Sequence, residues 1–166
     1  AWLKIWERTG VSDIIGVDGD YVKTDELHIS DKNFQRHNLE APIDLGRKFD
    51  LVTSFEVAEH LSADSSHSFI KTLARHSNAI LFSAATVGQG GEHHINERPL
   101  ESWRTIFEEN GFYPHDFLRP VFHKYKTIEP WYRYNTLLYL NCDGMKRYQS
   151  IQSLNRIDQS TPIPSY

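Results

Sequence analysis

The 166-residue chain is predicted to be an α/β protein built on a doubly wound, mostly parallel sheet with an antiparallel closing strand. Runs such as Phe49–Phe55 and Ala79–Ala84 are rich in apolar residues and have no regular polar face, as expected of strands covered on both sides. Between them lie segments with apolar residues at helical spacing, and strands alternating with helices imply right-handed crossovers around a parallel sheet. The last two strand-like runs, Phe112–Leu118 and Thr136–Leu140, have no obvious helix between them, so they are expected to pair antiparallel at one edge.

Taken in order, Ala1 to Thr9 places Trp2, Leu3, Ile5 and Trp6 at helical spacing, and Gly10 can end that helix with a left-handed cap. Ile14–Val17 is a short strand closed by Asp18-Gly19-Asp20, and Phe34–Leu39 is a further strand before the break at Pro42. After the strand Phe49–Phe55, the stretch Ser65–His76 puts Phe69, Ile70, Leu73 and Ala74 on one helical face. The strand Ala79–Ala84 leads into a loop, Ala85–Arg98, whose Gly88, Gly90 and Gly91 allow sharp bends or close approach to a ligand. Pro99 and the pattern Trp103, Ile106, Phe107 mark the next helix, which stops at Asn110-Gly111. An aromatic connection, Val121–Tyr134, joins the two closing strands. Residues 1–142 are expected to form the domain, and 143–166 a tail with a marginal helix ahead of a disordered end.

With 39% hydrophobic and 13% aromatic residues, the chain can bury one core and reads as one domain. A net charge of −4 offers no general attraction for nucleic-acid phosphates, although a local basic patch could still bind RNA. The single cysteine, Cys142, cannot form an internal disulfide, and no signal-like stretch or run of about 18 apolar residues is present. A soluble cytoplasmic protein that does not enter membranes is expected, with no oligomeric state written in the composition.

Chemistry concentrates where FDLVTSFEVAEHL, Phe49 to Leu61, runs from apolar strand into Glu56, Glu59 and His60. In open α/β sheets, ligands gather at the carboxyl ends of strands. A helical turn beginning at Glu56 would put Glu59 and His60 on the same face. Two carboxylates and an imidazole suit magnesium or manganese better than structural zinc. Without a metal, His60 is a general base or a substrate-positioning group, and Glu59 favours the positive end of a helix. Asp18, ending its strand, can accept hydrogen bonds from both hydroxyls of a ribose, or with Gly19 can simply start a turn. Asp20 could cap the same turn.

In their order and spacing, IIGVDGDYV (Ile14 to Val22), NLEAP (Asn38 to Pro42), FDLVTSFEVAEHL, AILFSAATVGQGGEHHINE (Ala79 to Glu97) and NTLLYLN (Asn135 to Asn141) resemble the class I S-adenosylmethionine-dependent methyltransferases over about residues 1 to 142. The resemblance implies a strand order 3-2-1-4-5-7-6 with strand 7 antiparallel, S-adenosylmethionine as cofactor, and methyl transfer to an oxygen or nitrogen of a small-molecule acceptor. It implies Asp18 and Gly19 at the ribose, Asn38 and Leu39 at the adenine, and Phe55 and Glu56 beside the cofactor cleft. Asn38 could instead bond its own backbone as a loop residue. The E-x-x-E-H pattern is similar to that of ubiquinone-pathway O-methyltransferases and small-RNA 2′-O-methyltransferases, some of which use a divalent metal. On that likeness Glu56, Glu59, His60 and a histidine of the following loop, His94 ahead of His93, would hold the ion, with Glu59 and His60 as catalytic residues. A cation there would orient substrate hydroxyls and lower their pKa.

The chain departs from that pattern in lacking the first strand and its glycine-rich D-x-G-x-G-x-G loop, so it is expected to be truncated at its N-terminus and to bind cofactor weakly. Without that strand, those at Ile14 and Phe49 would each keep an unpaired edge. A noncatalytic methyltransferase-like interaction module and a metal-using RNA 2′-O-methyltransferase-like enzyme are the alternatives. A nucleotide-dependent dehydrogenase shares the acidic strand end but does not explain EVAEH or the closing strand. Trp131, Tyr132 and Tyr134 are expected to line a pocket for a planar or sugar-like acceptor, or else to pack the sheet edge.

Overall fold

The structure, a computed structural model, describes residues 1–152, 157–158 and 160–163. Its first helix, α1 (Trp2–Arg8), ends at Thr9, and Gly10 follows at φ +97°, the left-handed conformation its sequence position calls for. Strands β1 (Gly16–Asp18) and β2 (Phe34–Arg36) pair in parallel as a separate two-stranded sheet, with Gly16 opposite Phe34 and Asp18 opposite Arg36. The expected strand at Ile14–Val17 is therefore shifted toward Asp18. Gly16 lies so close to α1 that a Cβ there would meet the Leu3 side chain at 2.9 Å.

Four further strands, β3 (Val52–Phe55), β4 (Ala79–Ser83), β5 (Tyr113–His115) and β6 (Leu137–Leu140), form a second sheet in the order β3-β4-β6-β5. β3 and β4 are parallel, and β6 runs antiparallel to both β4 and β5. The expected antiparallel pairing of the last two strands is present, but β6 is internal and β5 is the edge. The residues explain this order. Leu137–Leu140 is buried at every position, whereas β5 contains Pro114, which has no N–H for a second neighbour.

Helices cover both faces. α2 (Ser66–His76) contributes Phe69, Ile70 and Leu73, and α3 (Leu100–Glu109) contributes Trp103, Ile106 and Phe107, to a core with Ile80, Phe82, Leu137 and Tyr139. The alternate residues Ala79, Leu138 and Leu140 face a second cluster with Leu51, Leu81, Met145 and Tyr148. The aromatic connection carries two short helices, α4 (Arg119–Phe122) and α5 (Pro130–Asn135). After β6 come α6 (Cys142–Arg147) and α7 (Gln149–Gln152). Asn141 caps α6 by accepting from the N–H groups of Asp143 and Gly144 at 3.1 and 2.9 Å. The end expected to be disordered lies partly outside the described residues, but Ile157 and Ile163 are described and are buried in the main core. Arg104 donates to the carbonyls of Asp158 and Thr161, each at 2.7 Å, and holds that segment down. Among the described residues, no helix is long and apolar enough to cross a membrane.

Phe107 stacks on Tyr139 with ring centroids 3.8 Å apart and planes 14° from parallel, joining α3 to β6. Phe107→Ala is expected to lower unfolding free energy by about 3–5 kcal/mol in urea titrations; a loss below about 1 kcal/mol would mean that this contact does not hold the core.

Candidate active site

The site begins where β3 stops. Glu56 donates its N–H to the Ser83 carbonyl at 3.0 Å, continuing the β3–β4 ladder by one bond, and then turns away at φ +52°. That conformation is disfavoured for a residue with a side chain, by about 1–2 kcal/mol, and such strain clusters at functional sites. The helical turn expected from Glu56 instead starts later, as a 3-10 turn over Ala58–His60. The Glu56 carboxylate still neighbours that of Glu59, while its Oε2 accepts from Gln89 Nε2 at 3.1 Å.

The loop between β4 and α3 folds onto this turn. The backbone carbonyl of Glu59 accepts from the N–H groups of both Ile95, at 2.9 Å, and Asn96, at 3.0 Å. Buried Asn96 adds side-chain bonds from Nδ2 to the Ala58 carbonyl at 3.3 Å and to Ser66 Oγ at 3.1 Å, while its Oδ1 accepts from Arg98 Nε at 2.6 Å. The rings of His60 and His94 meet edge to face with centroids 4.9 Å apart. Glu59, His60 and His94 each present a donor atom within 4.8 Å of the others. Among the described residues neither Glu56 nor His93 belongs to this group; His93 sits at φ +58° beside it in sequence.

Glu59 has no solvent exposure, and among the described residues neither of its carboxylate oxygens has a hydrogen-bond partner of good geometry. Burial, followed by the neighbouring Glu56 carboxylate, pushes its pKa up to about 7. An orphaned buried carboxyl is costly, and native structures keep one chiefly where something else completes it. One carboxylate and two imidazoles fit a divalent cation, and imidazole ligands favour manganese over magnesium.

The residues expected at the nucleoside lie on the other sheet. Gly19, Asn38 and Leu39 line a cavity of about 450 Å³ together with Tyr21, Arg36 and Leu61. Asp18 ends β1 beside it, and its Oδ1 accepts from the Gly19 N–H at 2.8 Å and from the Tyr21 hydroxyl. The Tyr21 ring lies over Gly19, where a Cβ would come within 2.3 Å of it. Asn38 Oδ1 accepts from the Glu40 N–H at 3.0 Å, the local loop bond open to it from the sequence. Phe55 packs with Trp2 at 5.1 Å and Tyr132 at 6.1 Å, so Tyr132 faces the end of β3. Trp131 and Tyr134 line a second cavity of about 530 Å³ with Gln89 and Asn135. Gln89 links the two regions, because its Oε1 accepts from Asn135 Nδ2 at 2.8 Å while its Nε2 holds Glu56.

Gln89, Asn96 and Glu97 were not marked by the sequence. Glu97 Oε1 lies 3.0 Å from His94 Nδ1, a spacing of three residues that could have flagged the pair. The partners of Gln89 and Asn96 are distant in sequence, and no local signal announces them.

A carboxyl whose folded pKa stands above its ordinary 4.5 stabilises the fold below that value and loses the contribution as pH rises through about 7. With chelator present, Glu59→Gln is therefore expected to exceed the wild type in stability by on the order of 1–2 kcal/mol near pH 8. The gap should shrink below about pH 5 in thermal melts; a pH-independent gap would argue against ionisation of a buried Glu59 as its cause.

A family model described as a methyltransferase domain matches residues 1–125. No curated protein and no solved structure matches the chain. The match spans β1 through β5 and both loops that bring Glu59, His60 and His94 together. The mixed sheet, in which β6 alone opposes β3, β4 and β5, fits a Rossmann-like fold. This chain belongs to the methyltransferase-domain family.

Proposed function

We propose that the protein transfers the methyl group of S-adenosylmethionine to an oxygen of a small-molecule acceptor, with a divalent cation, manganese ahead of magnesium, at Glu59, His60 and His94. The observation that carries this reading is the convergence of those three donors within 4.8 Å around a buried carboxylate whose oxygens, among the described residues, have no hydrogen-bond partner of good geometry. When bound there, a divalent cation supplies positive charge that lowers the pKa of an acceptor hydroxyl. The side chains do the positioning. Glu59 contributes the negative charge from the buried side, and exposed His60 leaves the opposite side open for the acceptor. Trp131 and Tyr134 offer aromatic surface to a planar or sugar-like group, and Gln89 ties their cavity to Glu56. A sulfonium methyl group needs an aligned nucleophile above all else, so geometry dominates this catalysis.

The cofactor reading is supported by the cavity that Gly19, Asn38 and Leu39 share beside Asp18. In this reading Asp18 takes the ribose hydroxyls once the Tyr21 hydroxyl releases its oxygen, and Asn38 and Leu39 meet the adenine. In the strand order implied by the family likeness, β2-β1 corresponds to 3-2 and β3-β4-β6-β5 to 4-5-7-6. That correspondence supports a glycine-rich strand and loop between β1 and β3 as the further element for the methionine end.

A metal-free reading, with His60 as general base, is favoured by the exposure of that ring. Manganese titration separates the two. The wild type is expected to bind one manganese ion, and His60→Ala to bind it at least tenfold more weakly by calorimetry; no binding by the wild type leaves the metal-free base. Calorimetry with adenosylhomocysteine is expected to give weak binding that Asp18→Ala reduces by about tenfold or more, roughly 1.4 kcal/mol. An unchanged affinity would remove Asp18 from the ribose. Absence of both ligands would favour a noncatalytic methyltransferase-like module, and methylation of an RNA 2′-hydroxyl would redirect the acceptor class.

A further inference from the structure

We propose that Glu97 is a positioning residue for His94: it fixes the imidazole as the tautomer protonated on Nδ1 and leaves the Nε2 lone pair for the cluster with Glu59 and His60. The inference deepens the metal reading of that cluster and rests on it for its functional meaning.

Three donors converge on the Glu97 carboxylate. Oε2 accepts from the Gly88 N–H at 2.7 Å, and Oε1 accepts from the Gly90 N–H at 2.8 Å and from His94 Nδ1 at 3.0 Å. An ionised carboxylate only accepts hydrogen bonds, so the imidazole nitrogen facing it must carry the proton. In a neutral ring the other nitrogen, Nε2, then holds the lone pair, the form needed to bind a cation or take a proton.

The loop is shaped to make this contact. Gly88 and Gly90 have φ of +83° and +73°, conformations that glycine adopts without the usual steric cost, and both amides are thereby aimed at one side chain. Gly91 lies against the His94 ring, where a Cβ would come within 2.4 Å of Nε2. Just beyond the histidine, the N–H groups of Ile95 and Asn96 are fixed to the Glu59 carbonyl. His94 is therefore anchored on its backbone side by Glu59, whose carboxylate lies within 4.8 Å of a ring nitrogen, and on its ring by Glu97. The His94 and Glu97 side chains are only 12% and 19% exposed, so water has limited access to compete for Nδ1. Orientation of a metal-binding histidine by a carboxylate on its other nitrogen commonly changes metal affinity by about 10–100-fold when lost.

The test uses the full chain, labelled with 15N and held with chelator near neutral pH, and reads the His94 ring nitrogens by long-range proton–nitrogen NMR. The wild type should show protonated Nδ1 and unprotonated Nε2, and Glu97→Gln should lose that preference. In parallel, the manganese dissociation constant should rise about 10–100-fold in Glu97→Gln, with partial recovery in Glu97→Asp. A wild-type His94 protonated on Nε2, or a Glu97→Gln protein with the wild-type tautomer and the wild-type manganese affinity, overturns the proposal. If Glu97→Gln does not fold, the wild-type tautomer and the Glu97→Asp spectrum decide it. A wild type that binds no manganese yet shows the Nδ1–H tautomer sinks the metal reading alone, and the tautomer comparison still judges Glu97.

Discussion

Two backbone N–H groups, from Ile95 and Asn96, meet at the single carbonyl of Glu59, and the geometry of the site depends on that meeting. A carbonyl has two lone pairs, and both are used to join a turn after one strand to a loop after the next. The joint is possible because β3 and β4 are parallel and in register, Phe55 opposite Ser83, so that their carboxyl ends lie side by side. Asn96 then locks the joint from inside by bonding Ala58 and Ser66. Histidines 34 positions apart in the chain are thereby brought into ring contact.

The core and the site ask opposite things of the same elements. In the core, Ile80, Phe82, Leu137 and Tyr139 pack against the apolar faces of α2 and α3. One turn beyond β3, Glu59 is as fully enclosed as those residues but carries a carboxyl group that, among the described residues, has no hydrogen-bond partner of good geometry, and Glu56 holds a left-handed backbone. Each feature costs stability that better-matched residues would not. A packed sheet can carry such costs because they are confined to the ends of its strands.

The sequence made the architecture readable where a pattern is local. The helical faces of Phe69, Ile70 and Leu73, and of Trp103, Ile106 and Phe107, are buried as their spacing required, and the runs at Ala79 and Leu137 are strands. Strand ends were less legible. Phe49 makes only an isolated bridge to Ser77, and Ile14 is buried without joining β1, since an apolar residue can pack without entering a ladder. At the site, Glu59, His60 and His94 were visible as residue types at the end of a strand and in the next loop. The reversal at Glu56 was not, because a backbone turn through positive φ is rarely written in a glutamate. Nor were Gln89 and Asn96, whose partners, Glu56 and Asn135 for the first and Ala58 and Ser66 for the second, are brought by the fold from elsewhere in the chain.

β1 and β2 are short, none of their residues is fully buried, and as a two-stranded sheet they lie apart from the four-stranded one. An isolated pair of strands is marginal in water, so this half should open at lower free energy than the core around Phe107. Asp18 and the cavity at Asn38 belong to this half. A nucleoside bound there would bind one conformation of a segment that can open, and its observed affinity would include the free energy of keeping that segment closed. Recognition on this side of the molecule and the local stability of β1 and β2 are then a single thermodynamic quantity, whereas the cluster at Glu59 rests on strands already fixed by the core.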